Sequence, residues 1–289
     1  MPLNPNVVLD WPFEPVTETY DAQRTIIYAL GIGAGATGAQ SDLDLVYERD
    51  LKALPTMAVV LASERMWMDD PRTGITFTQI LHGEQGLVIH RLLPSAGTVL
   101  SQSFIDGLYD KGAKGAVLVT RRELRDAITG EPIATVRATA FLRADGGFGG
   151  RSEGQPAPHT LPSRTPDLEL TIGTRLDQAM IYRLSGDLNP LHIDPEVARK
   201  AGFDRPILHG LCSYGIVGRA LIEALCGGRP ERLKRLDVRF SAPVYPGETL
   251  VIDLWREAAG RAAFRVRVRE RDIVVLNNGL LDFRPEPEQ

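Results

Sequence analysis

Four stretches in the second half of the chain alternate apolar and polar side chains and are rich in β-branched residues: 236–244, 249–257, 262–270 and 273–283. A period of two puts successive side chains on opposite faces, so each predicts a strand with one face buried in an antiparallel sheet. The first half holds four comparable stretches, at 87–94, 98–110, 115–126 and 133–143. One segment changes period. In residues 213–228, Ile216, Val217, Ala220, Leu221, Ala224 and Leu225 recur every three to four positions and Gly227-Gly228 follows, which predicts a buried helix of three or four turns. Residues 149–167 are rich in Pro, Gly and Ser and show no period, as expected of a connection between two units. The expected organisation is an N-terminal domain at 1–150, a linker at 151–166 and a C-terminal domain at 167–289.

Three short matches suggest that the two units are copies. Ile27–Gly33 resembles Ile181–Asp187 at an offset of 154, Ile80–Gly83 resembles Ile207–Gly210 at 127, and Gly97 aligns with Gly247 at 150. On this alignment Gly83 to Gly97 spans 14 residues and Gly210 to Gly247 spans 37, so the first copy is expected to lack 23 residues, including the helix. The fold expected is α+β, one helix wrapped by a curved antiparallel sheet, built twice, with the helix reduced or lost in the first copy. Water-exposed apolar surface costs roughly 25 cal/mol per Å². An uncovered sheet face in the first copy should therefore be filled by something apolar.

Composition narrows the possible partners. With 33 basic and 37 acidic residues the net charge is -4, which offers no general attraction to nucleic acid or to an anionic membrane. No apolar run approaches the 18 or so residues of a membrane span, and residues 1–15 have no basic region leading into an apolar core. The sequence ends in FRPEPEQ rather than a peroxisomal Ser-Lys-Leu address, so a cytoplasmic location is expected. Cys212 and Cys226 lie in apolar contexts without metal-ligand spacing, and reduced, buried thiols are expected.

The chemistry concentrates in YRLSGDLNPLHID, residues 182–194. Ser185-Gly186 and Asn189-Pro190 read as tight turns. Asp194 followed by Pro195 reads as the start of a new helix that ends near Gly202. Asp187, Asn189 and His192 fall within six residues between two apolar elements. They could be a local hydrogen-bond network, a set of metal ligands, or an acid/base pair holding a water. Zinc and calcium spacings do not fit. The reference pKa values of Asp and His, near 3.9 and 6.5, suit an acid and a base working together. Residues 206–215 put His209-Gly210 ahead of the predicted helix, where free backbone N–H groups could form an oxyanion hole that a glycine lets a ligand approach.

The stretch YRLSGDLNPLHIDPEVARKAGFDRPILHGL resembles the signature of the MaoC-like hydratases, specifically the (R)-specific 2-enoyl-CoA hydratase 2 family with its G-D-x-N-P-x-H core. YALGIG, VIHRLLPSAG and DGGFGG resemble the first half of the two-domain form found in multifunctional β-oxidation enzymes. The resemblance implies a double hot-dog fold and reversible hydration of trans-2-enoyl-CoA to (3R)-3-hydroxyacyl-CoA, with no cofactor. It also implies catalytic roles for Asp187, His192, Asn189 and the Gly210 N–H. His82, Gly83, Lys111 and Phe240 fall where family members contact acyl-CoA, and Leu188, Pro190, Leu191 and His209 are read as substrate-binding with them. Medium to long acyl chains are expected, the tail lying on the uncovered face of the first copy with His82 and Gly83 at its mouth. A homodimer is expected, and neither nucleic acid nor membrane insertion. An acyl-CoA thioesterase and a non-catalytic acyl-CoA-binding module are the alternatives.

Overall fold

The structure is a computed structural model that describes residues 2–38, 40–64 and 66–285. The last four residues, which carry part of the C-terminal address expectation, lie outside that range. All eight predicted strands form: β2 (Ile80–Ile89), β3 (Gly97–Asp110), β4 (Ala116–Asp126) and β5 (Pro132–Leu142) in the first half, and β7 (Leu233–Phe240), β8 (Thr249–Ala258), β9 (Arg261–Val268) and β10 (Ile273–Phe283) in the second. Two short strands join them, β1 (Val16–Tyr20) and β6 (Leu168–Gly173). Both are edge strands with only one wall of the core to cover, and neither buries two consecutive residues.

The ten strands make one sheet in the order β1-β3-β4-β5-β2-β7-β10-β9-β8-β6. The order of the second five mirrors that of the first five, and the halves meet edge to edge where β2 pairs antiparallel with β7, from Glu84 opposite Arg239 to Val88 opposite Arg235. Among the described residues six helices accompany the sheet: α1 (Pro5–Leu9), α2 (Ala22–Gly31), α3 (Leu43–Val46), α4 (Gln178–Tyr182), α5 (Pro195–Lys200) and α6 (Gly210–Cys226). The long helix α6 is the predicted one. It buries Cys212, Tyr214, Ile216, Val217, Leu221, Ile222 and Leu225 in a core shared with both halves. Both cysteines are free and buried, and the Cys212 thiol donates to the Gly31 carbonyl at 3.3 Å. Among the described residues no helix is long and apolar enough to cross a membrane.

The repeat is real, but one of its three markers misleads. Strands β6, β7 and β8 begin at Leu168, Leu233 and Thr249, which is 152, 153 and 152 residues after β1, β2 and β3 at Val16, Ile80 and Gly97. The offset is constant, so the first half lacks no 23-residue piece. Ile80–Gly83 opens strand β2, whereas Ile207–Gly210 leads into helix α6, so their likeness is a coincidence of four residues. The first half does lack a long helix at this position. Its place is held by a 3-10 turn, Pro55–Val59, which begins at a proline and runs into β-branched residues poorly suited to a longer helix.

That turn also removes the expected vacancy. Leu54, Met57, Ala58, Val59, Leu61 and Ala62 are all buried in the core shared with α6. Arg122 of β4, itself buried, donates to the carbonyls of Leu61 (2.7 Å) and Val59 (2.8 Å) and to the Ser63 hydroxyl (2.7 Å). Ser101 donates to the Ala62 carbonyl and Glu18 accepts from the Ala62 N–H, both at 2.5 Å. The inner face of the first half is therefore covered by its own chain. The reasoning that led to medium or long acyl chains, with a tail lying there, falls with the vacancy.

Candidate active site

Helix α4 continues into a 3-10 turn, Arg183–Ser185, and Gly186 at φ 117° then reverses the chain. Glycine alone adopts that conformation without strain, and it delivers Asp187 at the start of the polar loop. Asp187 accepts the Asn189 N–H at 3.1 Å, and Asn189 Oδ1 accepts the Leu191 N–H at 3.0 Å, capping the turn Pro190–His192. Asp194 accepts from the N–H groups of Glu196 and Val197, which makes it the N-cap of α5 as its sequence context predicts.

These turns return His192 toward Asp187. The His192 Nδ1–H donates to the Ile207 carbonyl at 2.9 Å; since a carbonyl can only accept, the proton sits on Nδ1 and the Nε2 lone pair is free. Nε2 lies 4.0 Å from Asp187 Oδ2. His209 is buried, donates through Nε2 to the Asp187 carbonyl at 3.2 Å, and stacks on His192 with ring centroids 3.8 Å apart. The Tyr182 ring also packs on His209, tilted, with centroids 5.1 Å apart. The ligand atoms of Asp187, His192 and His209 lie within 4.8 Å of one another, close enough for a metal. The stacked rings keep their lone pairs in near-parallel planes, so these do not converge on one ion as tetrahedral ligation needs.

Gly210 is the first residue of α6, whose N-terminus has no side-chain cap and no acidic residue in its first turn. By contrast α2 and α5 are capped by Asp21 and Asp194. The free N–H groups and positive end of a 17-residue helix thus stay unneutralised at an exposed glycine. A side chain at 210 would meet the Phe240 ring at 3.2 Å, and Phe240 packs on His82 with centroids 4.8 Å apart. The structure thus brings together Asp187, Asn189, His192, His209 and Gly210, with His82 and Phe240 close to Gly210 across the β2–β7 junction. Leu188 and Pro190 are exposed on the loop itself, Leu191 is half-buried, and Gly83 follows His82 in β2.

Lys111 is not brought to the cluster. It sits in the β3–β4 hairpin, three strands or roughly 14 Å across the sheet from β2, and its ammonium donates to the Ser152 carbonyl beside the Tyr109 ring. Sequence reasoning also missed two contributors. The Ile207 carbonyl, which fixes the His192 tautomer, is backbone and leaves no residue-type signal. Arg24 of α2 donates to the carbonyls of Leu184 and Ser185, and nothing local marks a partner 160 residues away.

Burial is the main reason that His192 and His209 hold protons less readily than a free histidine; His209 is lowered to about 4, with His192 beside it adding to the effect. Both are neutral near pH 7. Below pH 6.5 the unfolded chain takes up protons that the folded chain refuses, so stability falls as the pH drops from about 6.5 toward 4. The lowered carboxyls Asp126 and Asp167, at about 2, act in a separate and more acidic window. The melting temperature should therefore decline between pH 6.5 and 4.5, with calorimetry showing proton uptake on unfolding. A flat profile over that range would contradict the assignment.

Two family profiles cover most of the chain: the MaoC like domain matches residues 158–278 and the MFE-2 hydratase 2 N-terminal domain matches residues 19–144. 3-hydroxyacyl-thioester dehydratase Y of Mycobacterium tuberculosis is 40% identical over 93% of this chain and 95% of its own length. The peroxisomal enoyl-CoA hydratase 2 of Arabidopsis thaliana is 38% identical, over 97% of this chain and 96% of its own. In three dimensions the chain is similar to a MaoC-like dehydratase from Phytophthora capsici, with a TM-score of 0.86 and 37% identity over 98% of this chain and 99% of that one.

Proposed function

The chain belongs to the MaoC-like hydratases of the hydratase 2 type and hydrates enoyl-CoA thioesters, and we propose that Asp187 and His192 carry the proton transfers while the Gly210 N–H holds the thioester oxygen. The supporting observation is the facing pair of acceptors, Asp187 Oδ2 and His192 Nε2, at 4.0 Å. That gap is too long for a direct hydrogen bond and suits one water donating to both at about 2.8 Å. With both protons so engaged, the water's lone pair is left for C3 of the enoyl group. As C3 is attacked, charge moves onto the thioester oxygen, where the uncapped start of α6 offers an N–H and a favourable dipole. One of the two side chains takes the water proton and C2 receives one, so the pair ends as it began.

Asn189 has its side-chain oxygen committed to the Leu191 N–H, leaving its amide nitrogen to steady the water or the substrate. His82 and Phe240 would flank the thioester, with residues 1–150 as the non-catalytic half and 167–289 as the catalytic one. The proposal includes the (3R) product, a cytoplasmic address, and a homodimer, since β1 and β6 leave two sheet edges. No cofactor is needed, because protein groups supply base, acid and oxyanion donors.

Incubation with a trans-2-enoyl-CoA tests the reading. Loss of the conjugated absorbance without thiol release, undiminished by a chelator and yielding a product inert to a (3S)-specific dehydrogenase, is the expected result. Thiol release would mark a thioesterase, and binding without either change a carrier module. A 4- to 10-carbon substrate series measures the length preference.

A further inference from the structure

The match of Ile27–Gly33 to Ile181–Asp187, at an offset of 154, pairs Arg24 with Gln178, Leu30 with Leu184 and Gly31 with Ser185. These six residues form a crossed set of contacts. Gln178 in the second half donates through Nε2 to the carbonyls of Gly31 (2.5 Å) and Leu30 (3.5 Å) in the first. Arg24 in the first half donates through Nη1 to the Leu184 carbonyl (2.6 Å) and through Nη2 to the Ser185 carbonyl (2.8 Å) in the second. Each half thus donates to carbonyls at the end of the other's helical segment, where intrahelical partners run out; the Leu30 carbonyl also accepts the Gly33 N–H and the Gly31 carbonyl the Cys212 thiol. The two sides differ in strength. The turn without polar chemistry receives a neutral amide, and the turn leading to Asp187 receives a two-pronged, charge-assisted guanidinium.

Resting on the hydratase reading, we infer that Arg24 is a positioning residue for Asp187. Ser185, Gly186 and Asp187 are consecutive, and Arg24 Nη2 stands 3.6 Å from where a Gly186 side chain would begin. Beyond Gly186 the described structure holds Asp187 by two hydrogen bonds, its carbonyl to His209 and its carboxylate to the Asn189 N–H, while the side chain is 47% exposed. The direction in which Asp187 leaves the turn is therefore set upstream, by the two clamped carbonyls. Arg24 is fixed in turn: its N–H caps onto Asp21 at 2.9 Å and its Nε lies 3.7 Å from Glu18. The front half, which has no acid/base pair, thereby aims the catalytic carboxylate of the back half.

Arg24→Gln makes the two crossed contacts alike, and Gln178→Ala removes the other one as a control. Arg24→Gln should lower kcat between about tenfold and hundredfold, the scale of a small misplacement of a catalytic group, with KM within about twofold. Arg24→Lys should recover part of the loss, and guanidinium ion added to Arg24→Ala should restore turnover where an equal concentration of potassium chloride does not. Amide hydrogen exchange across 184–189 should quicken in Arg24→Gln and not in Gln178→Ala. An unchanged kcat, or an equal kcat loss in Gln178→Ala, would overturn the inference. The exchange measurement needs no substrate, so it judges the clamp separately even if the wild-type chain fails to hydrate an enoyl-CoA.

Discussion

Asp187→Asn and His192→Gln should each lower hydration of an enoyl-CoA by about 100- to 10,000-fold, the usual contribution of a placed acid or base. Asparagine keeps the shape of Asp187 and can still accept from the Asn189 N–H, but it cannot take a proton. Glutamine at 192 can still donate to the Ile207 carbonyl, yet it offers no basic nitrogen toward Oδ2. Asp187→Asn opens no cavity, since Asp187 is half exposed, while His192→Gln gives up the ring stacked on His209 and is the more costly of the two. Melting temperatures should stay within a few degrees of wild type while turnover disappears. Turnover near wild type in either variant would remove that residue from the mechanism. The corresponding position in the first half is Gly33, at φ 83° beside Gln178 and Arg219. A side chain there should disturb stability and leave the chemistry in place.

The converse is expected at Arg122. Arg122→Met keeps an apolar stem of comparable reach but leaves the Leu61 and Val59 carbonyls and the Ser63 hydroxyl without their donor. Each buried polar group left unmet costs about 1–3 kcal/mol, with some relief as water enters, so a loss of about 3 kcal/mol or more is expected. For a chain of this size each kcal/mol shifts the melting temperature by about 2–4 °C, giving a fall of several degrees in a calorimetric scan. Arg122→Lys should recover little, because a single ammonium cannot span several acceptors as the planar guanidinium does. Activity per folded molecule should change far less than in Asp187→Asn. A melting temperature within a degree or two of wild type would mean that apolar packing alone holds residues 54–63 in place.

Much of this was legible in the sequence for a physical reason. Strands with one face on a core must alternate, and α6 must repeat its apolar residues every three to four positions, so both leave a periodic trace. The proposed catalytic groups were legible because Asp187, Asn189, His192 and Gly210 lie within 24 consecutive residues, joined by turns that glycine and proline announce. Edge strands β1 and β6 escaped because five or six residues with a half-exposed pattern look like loop. The false vacancy came from trusting Ile80–Gly83 against Ile207–Gly210. Four residues can match by chance, whereas the order of strands in a sheet cannot slip by 25 positions. Arg24 and Arg122 were invisible for a common reason: each serves backbone carbonyls far away in the chain, and a carbonyl carries no side-chain identity to read.

The seam between β2 and β7 settles how much freedom each half keeps. A ladder of backbone hydrogen bonds accepts almost any side chain, so the join itself asks little of residues 84–88 beyond their extended path. The front half can therefore differ from the back half, with no polar turn at its matching position and a proline-led turn in place of the long helix, and still share one sheet with it. Side chains of the front half also reach across: Arg24 to the turn before Asp187, His82 against Phe240, Asp42 to Arg219 and Glu84 to Arg239. Duplication here yields a division of labour rather than redundancy. On the proposed mechanism, one half carries the chemistry and the other holds its partner's shape.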